Sequence, residues 1–174
     1  TDGQARTVSL CVNDIKKNKK YNNEIITIGT CDSGVIFDHK KYNNLIENNN
    51  FDVIVWGIRN YPNSLKNPTM YGWINEFEGI IKSISVKKPL ELKKSPPIVL
   101  GIFTFKNITI LDLTLKSLFD ENDKVNDEFY IDSSINHAIK LGYKCFYFEV
   151  DSFLCWGTPN DLKIFEYWQS CFHK

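Results

Sequence analysis

The chain patterns as a layered α/β sheet. Three observations point to this: strand-length apolar runs such as Asp52 to Ile58 and Ile98 to Phe105, helical periodicity between them, and an early β-branched run that stops at an aspartate, Asp32. Alternating strands and helices bury best as helices laid on the faces of one sheet. At 174 residues the chain has the length of one domain with its own core, so a single unit over 1–174 is expected.

The elements follow in order. Gln4 to Lys19 places Val8, Cys11, Val12 and Ile15 near a 3.6 period and turns lysine-rich at its end, where cations suit a helix C-terminus. Glu24 to Gly29 is a buried strand stopped by glycine and followed by Thr30-Cys31-Asp32-Ser33. His39 to Asn49 is helical, Asp52 to Ile58 is a second buried strand, and Arg59 to Thr69 is a Pro/Asn loop. Met70 to Ile74 and Ile80 to Val86 flank the polar stretch Asn75 to Gly79 as an antiparallel hairpin. Lys93 to Pro97 is a basic loop before the strand Ile98 to Phe105. Helices are expected over Ile110 to Phe119 and Asp127 to Leu141, the second closed by Gly142. Tyr143 to Val150 is a strand. Pro159 to Cys171 is a terminal helix with Thr158 as N-cap and Pro159 at its first position.

Composition excludes several classes. With 21 basic and 21 acidic residues the net charge is +0, so no positive field holds nucleic acid or an anionic membrane. No apolar run reaches the roughly 20 residues of a bilayer span, which predicts a soluble, cytoplasmic chain. Cys11, Cys31, Cys145, Cys155 and Cys171 lack CxxC spacing and are expected as reduced core thiols. His39, His137 and His173 lack the spacing of a helical zinc pair.

Asp32 is the leading candidate for chemistry, because open α/β sheets place ligands beyond the carboxyl ends of their strands. A carboxylate there takes one or two positions on Mg²⁺, or caps a turn. The chain also opens on a helix straight after Thr1-Asp2-Gly3, without the first strand and glycine loop that begin doubly wound folds. An upstream segment carrying them is expected, and with it the triphosphate-binding amides.

Six motifs then occur in order: Gly3-Gln4-Ala5-Arg6-Thr7, Cys31-Asp32, Tyr71-Gly72-Trp73, Val86-Lys87-Lys88-Pro89, Asn126-Asp-Glu128-Phe-Tyr130 and Trp156-Gly157-Thr158-Pro159-Asn160-Asp161-Leu162. Together they resemble the sugar-1-phosphate nucleotidyltransferase family along the whole chain. The resemblance implies a Rossmann-like nucleotidyltransferase fold with a small antiparallel hairpin, lacking its N-terminal portion here. It implies transfer of a nucleotidyl group from a nucleoside triphosphate to a sugar phosphate or a small phosphorylated alcohol, with Mg²⁺ as cofactor and a role in supplying surface or capsule polysaccharide.

It also implies roles residue by residue. Gly3 and Gln4 match the base-recognition loop, Asp32 the metal-binding aspartate, and Tyr71 and Gly72 the pair beside the sugar, with a bare Gly72 leaving space for a ring. Lys88 matches the acceptor-phosphate lysine of an EKP motif whose acid is replaced by Lys87, and Glu128 matches the segment that closes over the sugar. Each has a structural alternative: a helix cap for Gly3 and Gln4, a strand irregularity for Gly72, solvated turns for the lysines, a dipole-stabilised acid for Glu128.

Where the family often places its second metal-binding aspartate, this chain has Cys155, and Asp151 is the acid that could reach the metal instead. Rival readings are a non-catalytic nucleotide-binding or interaction domain, favoured by Cys155 and Lys87, and a metal-dependent glycosyltransferase, disfavoured because Ser33-Gly34 supplies no second acid. Phe165, Tyr167, Trp168 and Phe172 are expected as a core or packing face, against this domain, a fused second domain or another subunit of a homo-oligomer.

Overall fold

The computed structural model describes residues 1–48, 51–91 and 95–172. Lys93 and Lys94 of the expected basic loop, and His173, lie outside them. In chain order the elements are α1 (Gln4–Lys17), β1 (Ile26–Ile28), β2 (Ser33–Ile36), α2 (His39–Asn48), β3 (Val53–Ile58), α3 (Pro62–Lys66), β4 (Gly72–Phe77) and β5 (Ile80–Val86). They continue with β6 (Ile98–Phe105), α4 (Ile108–Asp120), α5 (Ile131–Lys140), β7 (Cys145–Glu149), β8 (Ser152–Cys155) and α6 (Pro159–Phe172).

Six strands form one mixed sheet in the order β1-β6-β3-β7-β5-β4, and β2 and β8 form a separate antiparallel ribbon. In β3, alternation sends Val53 and Val55 to one face and Ile54 and Trp56 to the other, all buried. The first face packs on α1, α4 and α5 through Val12, Leu111, Leu115, Ile135 and Phe129. The second packs on α2 through Tyr42, Leu45 and Ile46, and on Phe37 just past the ribbon. This is the expected helix–sheet–helix layering.

Thr104, fully buried on β6, ties the second face together. Its hydroxyl lies 3.1 Å from Trp56 Nε1, 3.1 Å from the Tyr42 hydroxyl and 3.0 Å from Thr27 Oγ1, joining α2, β3 and β1. Thr104→Val keeps the shape and leaves the indole N–H without its acceptor, so it is expected to cost about 2 kcal/mol in urea unfolding.

Several boundaries differ from the sequence pattern for local reasons. Strand β4 continues to Phe77, and only Glu78 and Gly79 turn, at φ 52° and 79°, the left-handed pair that suits a two-residue hairpin loop. Helix α5 starts at Ile131 rather than Asp127, since Asn126 and Asp127 hold φ 50° and 63° in a tight loop closed by Glu128 N donating to Val125 O. The cysteines are free, but Cys11, Cys31 and Cys171 are exposed and only Cys145 is buried, which corrects the core-thiol expectation.

Helix α6 corrects the expectation that its aromatic face belongs to this domain's core. It leaves from β8 of the outlying ribbon and lies over Phe153 and Cys155 instead of the sheet, so none of its residues is buried. Tyr167, Trp168 and Phe172 are 62%, 55% and 82% exposed.

Candidate functional site

Asp32 stands in the short link between β1 and β2, at the open end of the β2–β8 ribbon. Ser33 pairs with Cys155, and the Asp32 carbonyl accepts from Trp156 N at 2.8 Å, so the ribbon folds the glycine of Trp156-Gly157-Thr158 onto the aspartate. A Cβ on Gly157 would stand 3.2 Å from Asp32 Oδ2 and 3.6 Å from Cys155 Sγ. Asp32 and Cys155 therefore flank one point, and a side chain at Gly157 would press on the Asp32 carboxylate.

Two cavities border this junction, one lined by Asp32 and the other by Cys155. One, of about 360 Å³, is lined by Gln4, Thr7 and Val8 of α1, by Gly29 to Asp32, and by Gly101 and Ile131. It brings Gln4 and Asp32 to one space. The other, of about 650 Å³, runs under α6 from Tyr61 and Phe153 past Cys155 and Asp161. Asp161 was not among the residues expected here. Its carboxylate accepts from Thr158 Oγ1 at 2.6 Å while its amide donates back to that oxygen at 3.2 Å, a reciprocal cap that the spacing Thr158-x-x-Asp161 could have revealed. Cys155 Sγ lies 3.9 Å from Asp161 Oδ2, and burial pushes its thiol up, with the charges of Asp161 and Asp32 adding to the effect. Cys155 is thus a neutral thiol.

Asp151 is placed elsewhere. The ribbon register runs from Ser33–Cys155 to Ile36–Ser152, and Asp151 N donates to Ile36 O at 2.9 Å at the far end. Four residue pairs lie between Asp151 and Asp32, five steps or about 16 Å at strand rise, so the two acids cannot share one ion. Among the described residues no three His, Cys, Asp or Glu side chains cluster as metal ligands. Asp32 alone still fits Mg²⁺ in the form that takes one carboxylate and fills its remaining positions with water and phosphate oxygens.

Gly3 and Gly72 both sit at close approaches, filled by backbone at Gly3 and by a side-chain carboxylate at Gly72. A Cβ on Gly3, at φ 119°, would stand 2.5 Å from Phe129 O, between the bonds Phe129 N to Asp2 O and Ala5 N to Phe129 O. The backbone brought close at Gly3 is that of Phe129. At Gly72 a Cβ would press on Asp132 Oδ2, so the Asp132 carboxylate occupies the space beside this glycine.

The lysines divide. Lys87, at φ 57° and half-buried, donates to Met70 O at 2.5 Å and lies 5.6 Å from the Tyr130 ring centre. Lys88 is exposed and its side chain has no partner among the described residues. The lysine near Tyr130 and Asp132 is therefore Lys87, where the motif had pointed to Lys88. Glu128 is exposed and accepts from the Tyr130 phenol, which pushes that phenol up to about 12. Burial pushes Tyr71 up to about 12 as well, so both phenols remain hydrogen-bond donors at neutral pH.

No family model matches the chain, and no curated protein matches it in sequence. Solved structures do match. The chain is similar to a nucleoside-diphosphate-sugar pyrophosphorylase from Vibrio cholerae RC9 at TM-score 0.70 and 17% identity, over 95% of this chain and 65% of that one. It is similar to an inositol-1-phosphate CTP transferase from T. maritima at TM-score 0.65 and 13% identity, over 95% of this chain and 60% of that one. The architecture is the mixed α/β fold of nucleotidyltransferases. The chain spans about three-fifths of the length of these neighbours. Among the described residues no helix is long and apolar enough to cross a membrane.

Proposed function

We propose that the chain is part of a nucleotidyltransferase that moves a nucleotidyl group from a nucleoside triphosphate to a sugar phosphate or similar phosphorylated acceptor and releases pyrophosphate. The observation that carries this reading is the junction at Asp32. The Asp32 carboxylate and the Gln4 amide side chain line one cavity, with Gly157 packed beside Asp32, in a fold shared with a nucleoside-diphosphate-sugar pyrophosphorylase.

An acceptor phosphate oxygen attacks the α-phosphorus, the bond from that phosphorus to the bridging oxygen breaks, and pyrophosphate leaves with the electron pair. No protein nucleophile is required, and catalysis depends on in-line positioning and on neutralising charge. Gln4 is suited to pair with a base edge through its amide. Lys87 supplies a point charge for the acceptor phosphate, with Lys88 available at the rim. Asp32 and phosphate oxygens would hold Mg²⁺, which neutralises charge on the triphosphate when bound. Tyr71 and Tyr130 offer hydroxyl donors to the acceptor. A supply role for surface polysaccharide belongs to the same proposal.

The test is product identity: full-length protein incubated with Mg²⁺, a nucleoside triphosphate and a phosphorylated acceptor should yield the nucleotide-linked acceptor by mass spectrometry. Hydrolysis products alone, or unchanged substrates across the grid, would remove the proposal. The neutral thiol of Cys155 beside Asp32 favours a second reading, a nucleotide-binding domain without turnover. The two readings separate at Cys155→Asp. Placing a second carboxylate across from Asp32 is expected to lower the Mg²⁺ concentration that gives half-maximal thermal stabilisation of an ion-binding site. A domain that holds no ion there would show no such shift.

A further inference from the structure

Asp132 lies in the first turn of α5, half-buried, with its carboxylate turned onto the backbone of β4, where one oxygen fills the space of the missing Gly72 side chain. Among the described residues no other residue donates a hydrogen bond to that carboxylate. The nearest cation, Lys87, spends its ammonium on Met70 O. Burial pushes the Asp132 carboxyl up to about 6, against the opposing charge of Lys87. An acid serving only the helix dipole would sit in water. This one is largely withdrawn from water and takes a hydrogen bond only from its own main chain, an arrangement that costs free energy in the protein.

The sign of that cost can be read from pH. A carboxyl raised above its unfolded value of 3.8 adds stability at low pH and loses it as pH rises through about 6, so at neutral pH the charge opposes folding. The cation near it is Lys87, beyond β5, and its titratable neighbour is the phenol of Tyr130, before α5; neither bonds the carboxylate. The carboxylate thus keeps acceptor capacity that no other described residue uses, with Lys87 as the cation beside it.

We infer that Asp132 is a specificity-determining residue for the acceptor: its carboxylate accepts hydrogen bonds from adjacent hydroxyls of a polyol phosphate whose phosphate group meets Lys87. This rests on the transferase reading of the same site. It selects polyhydroxylated acceptors, sugar or cyclitol phosphates, over phosphorylated alcohols without neighbouring hydroxyls.

The test compares wild-type, Asp132→Ala and Asp132→Asn forms of the full-length protein, with glucose 1-phosphate and inositol 1-phosphate against phosphoethanolamine. Asp132→Ala is expected to raise the KM for the preferred polyol phosphate about tenfold or more, the weight of hydrogen bonds to a charged group, while kcat and nucleotide KM stay within about twofold. In wild type that KM should rise as pH falls through about 6, and this dependence should vanish in Asp132→Asn, which is expected to be at least as stable as wild type at neutral pH. An unchanged acceptor KM, a parallel fall in kcat and nucleotide affinity, or a wild-type preference for phosphoethanolamine would overturn the inference. If no pyrophosphate is released with any substrate, the transferase reading fails on its own, and calorimetric binding of the polyol phosphates decides about Asp132. Binding lost in Asp132→Ala supports its role, and no binding to wild type removes it.

Discussion

Asp32→Asn is expected to lower pyrophosphate release by full-length protein about 10²- to 10³-fold, the usual effect of deleting one electrostatic contact to a reacting phosphate or its metal. The substitution is close to isosteric, so the tight fit beside Gly157 survives. The bond from Trp156 N goes to the Asp32 main-chain oxygen, which the change does not touch. Stability should therefore move by no more than about 0.5 kcal/mol. The loss should appear in kcat at saturating nucleotide, and it should be paired with a loss of Mg²⁺-dependent thermal stabilisation. Equal turnover in wild type and variant would remove Asp32 from the chemistry.

The largest stability effect is expected at Gly3→Ala. The residue holds φ 119°, a conformation that L side chains rarely adopt, and its Cβ would press on Phe129 O and N at 2.5 and 2.6 Å. Both obstacles are backbone and cannot swing aside. Strain and overpacking together are expected to cost roughly 2–4 kcal/mol, read as a shift in the urea midpoint at unchanged slope. The damage should spread to the site, because the same two rungs join the start of α1 to the loop before α5. Moving Gly3 displaces Gln4, and nucleotide affinity should fall with it. A variant as stable as wild type would show that the Gly3–Phe129 packing is not formed in solution.

The layered architecture was legible because burial on both faces leaves continuous apolar runs. Val53 to Ile58 and Ile98 to Phe105 announce central strands whatever their neighbours are. The ribbon of β2 and β8 was not legible: it is four residues on each side, half-buried apart from the exposed Ile36, and its pairing joins residues more than a hundred positions apart. Missing that ribbon is what misplaced Asp151, since only its register shows which of Asp151 and Cys155 faces Asp32. Motif order brought Gln4 and Asp32 to one cavity and located Tyr71 and Gly72 beside the lysine pair. It could not show which lysine turns inward, because that depends on the left-handed backbone of Lys87, nor that Asp132 would fill the space at Gly72. The aromatic residues of α6 gave a helical period without a partner, and periodicity alone does not say what a face is packed against.

The most direct test of the central claim is Mg²⁺-dependent pyrophosphate release by the full-length protein across a grid of nucleoside triphosphates and phosphorylated acceptors, with Asp32→Asn run in parallel. Release that requires one nucleotide, one acceptor and Asp32 is the predicted result. Intact nucleotide binding with no release anywhere in the grid would contradict it and would leave the chain as a binding domain built on a transferase fold.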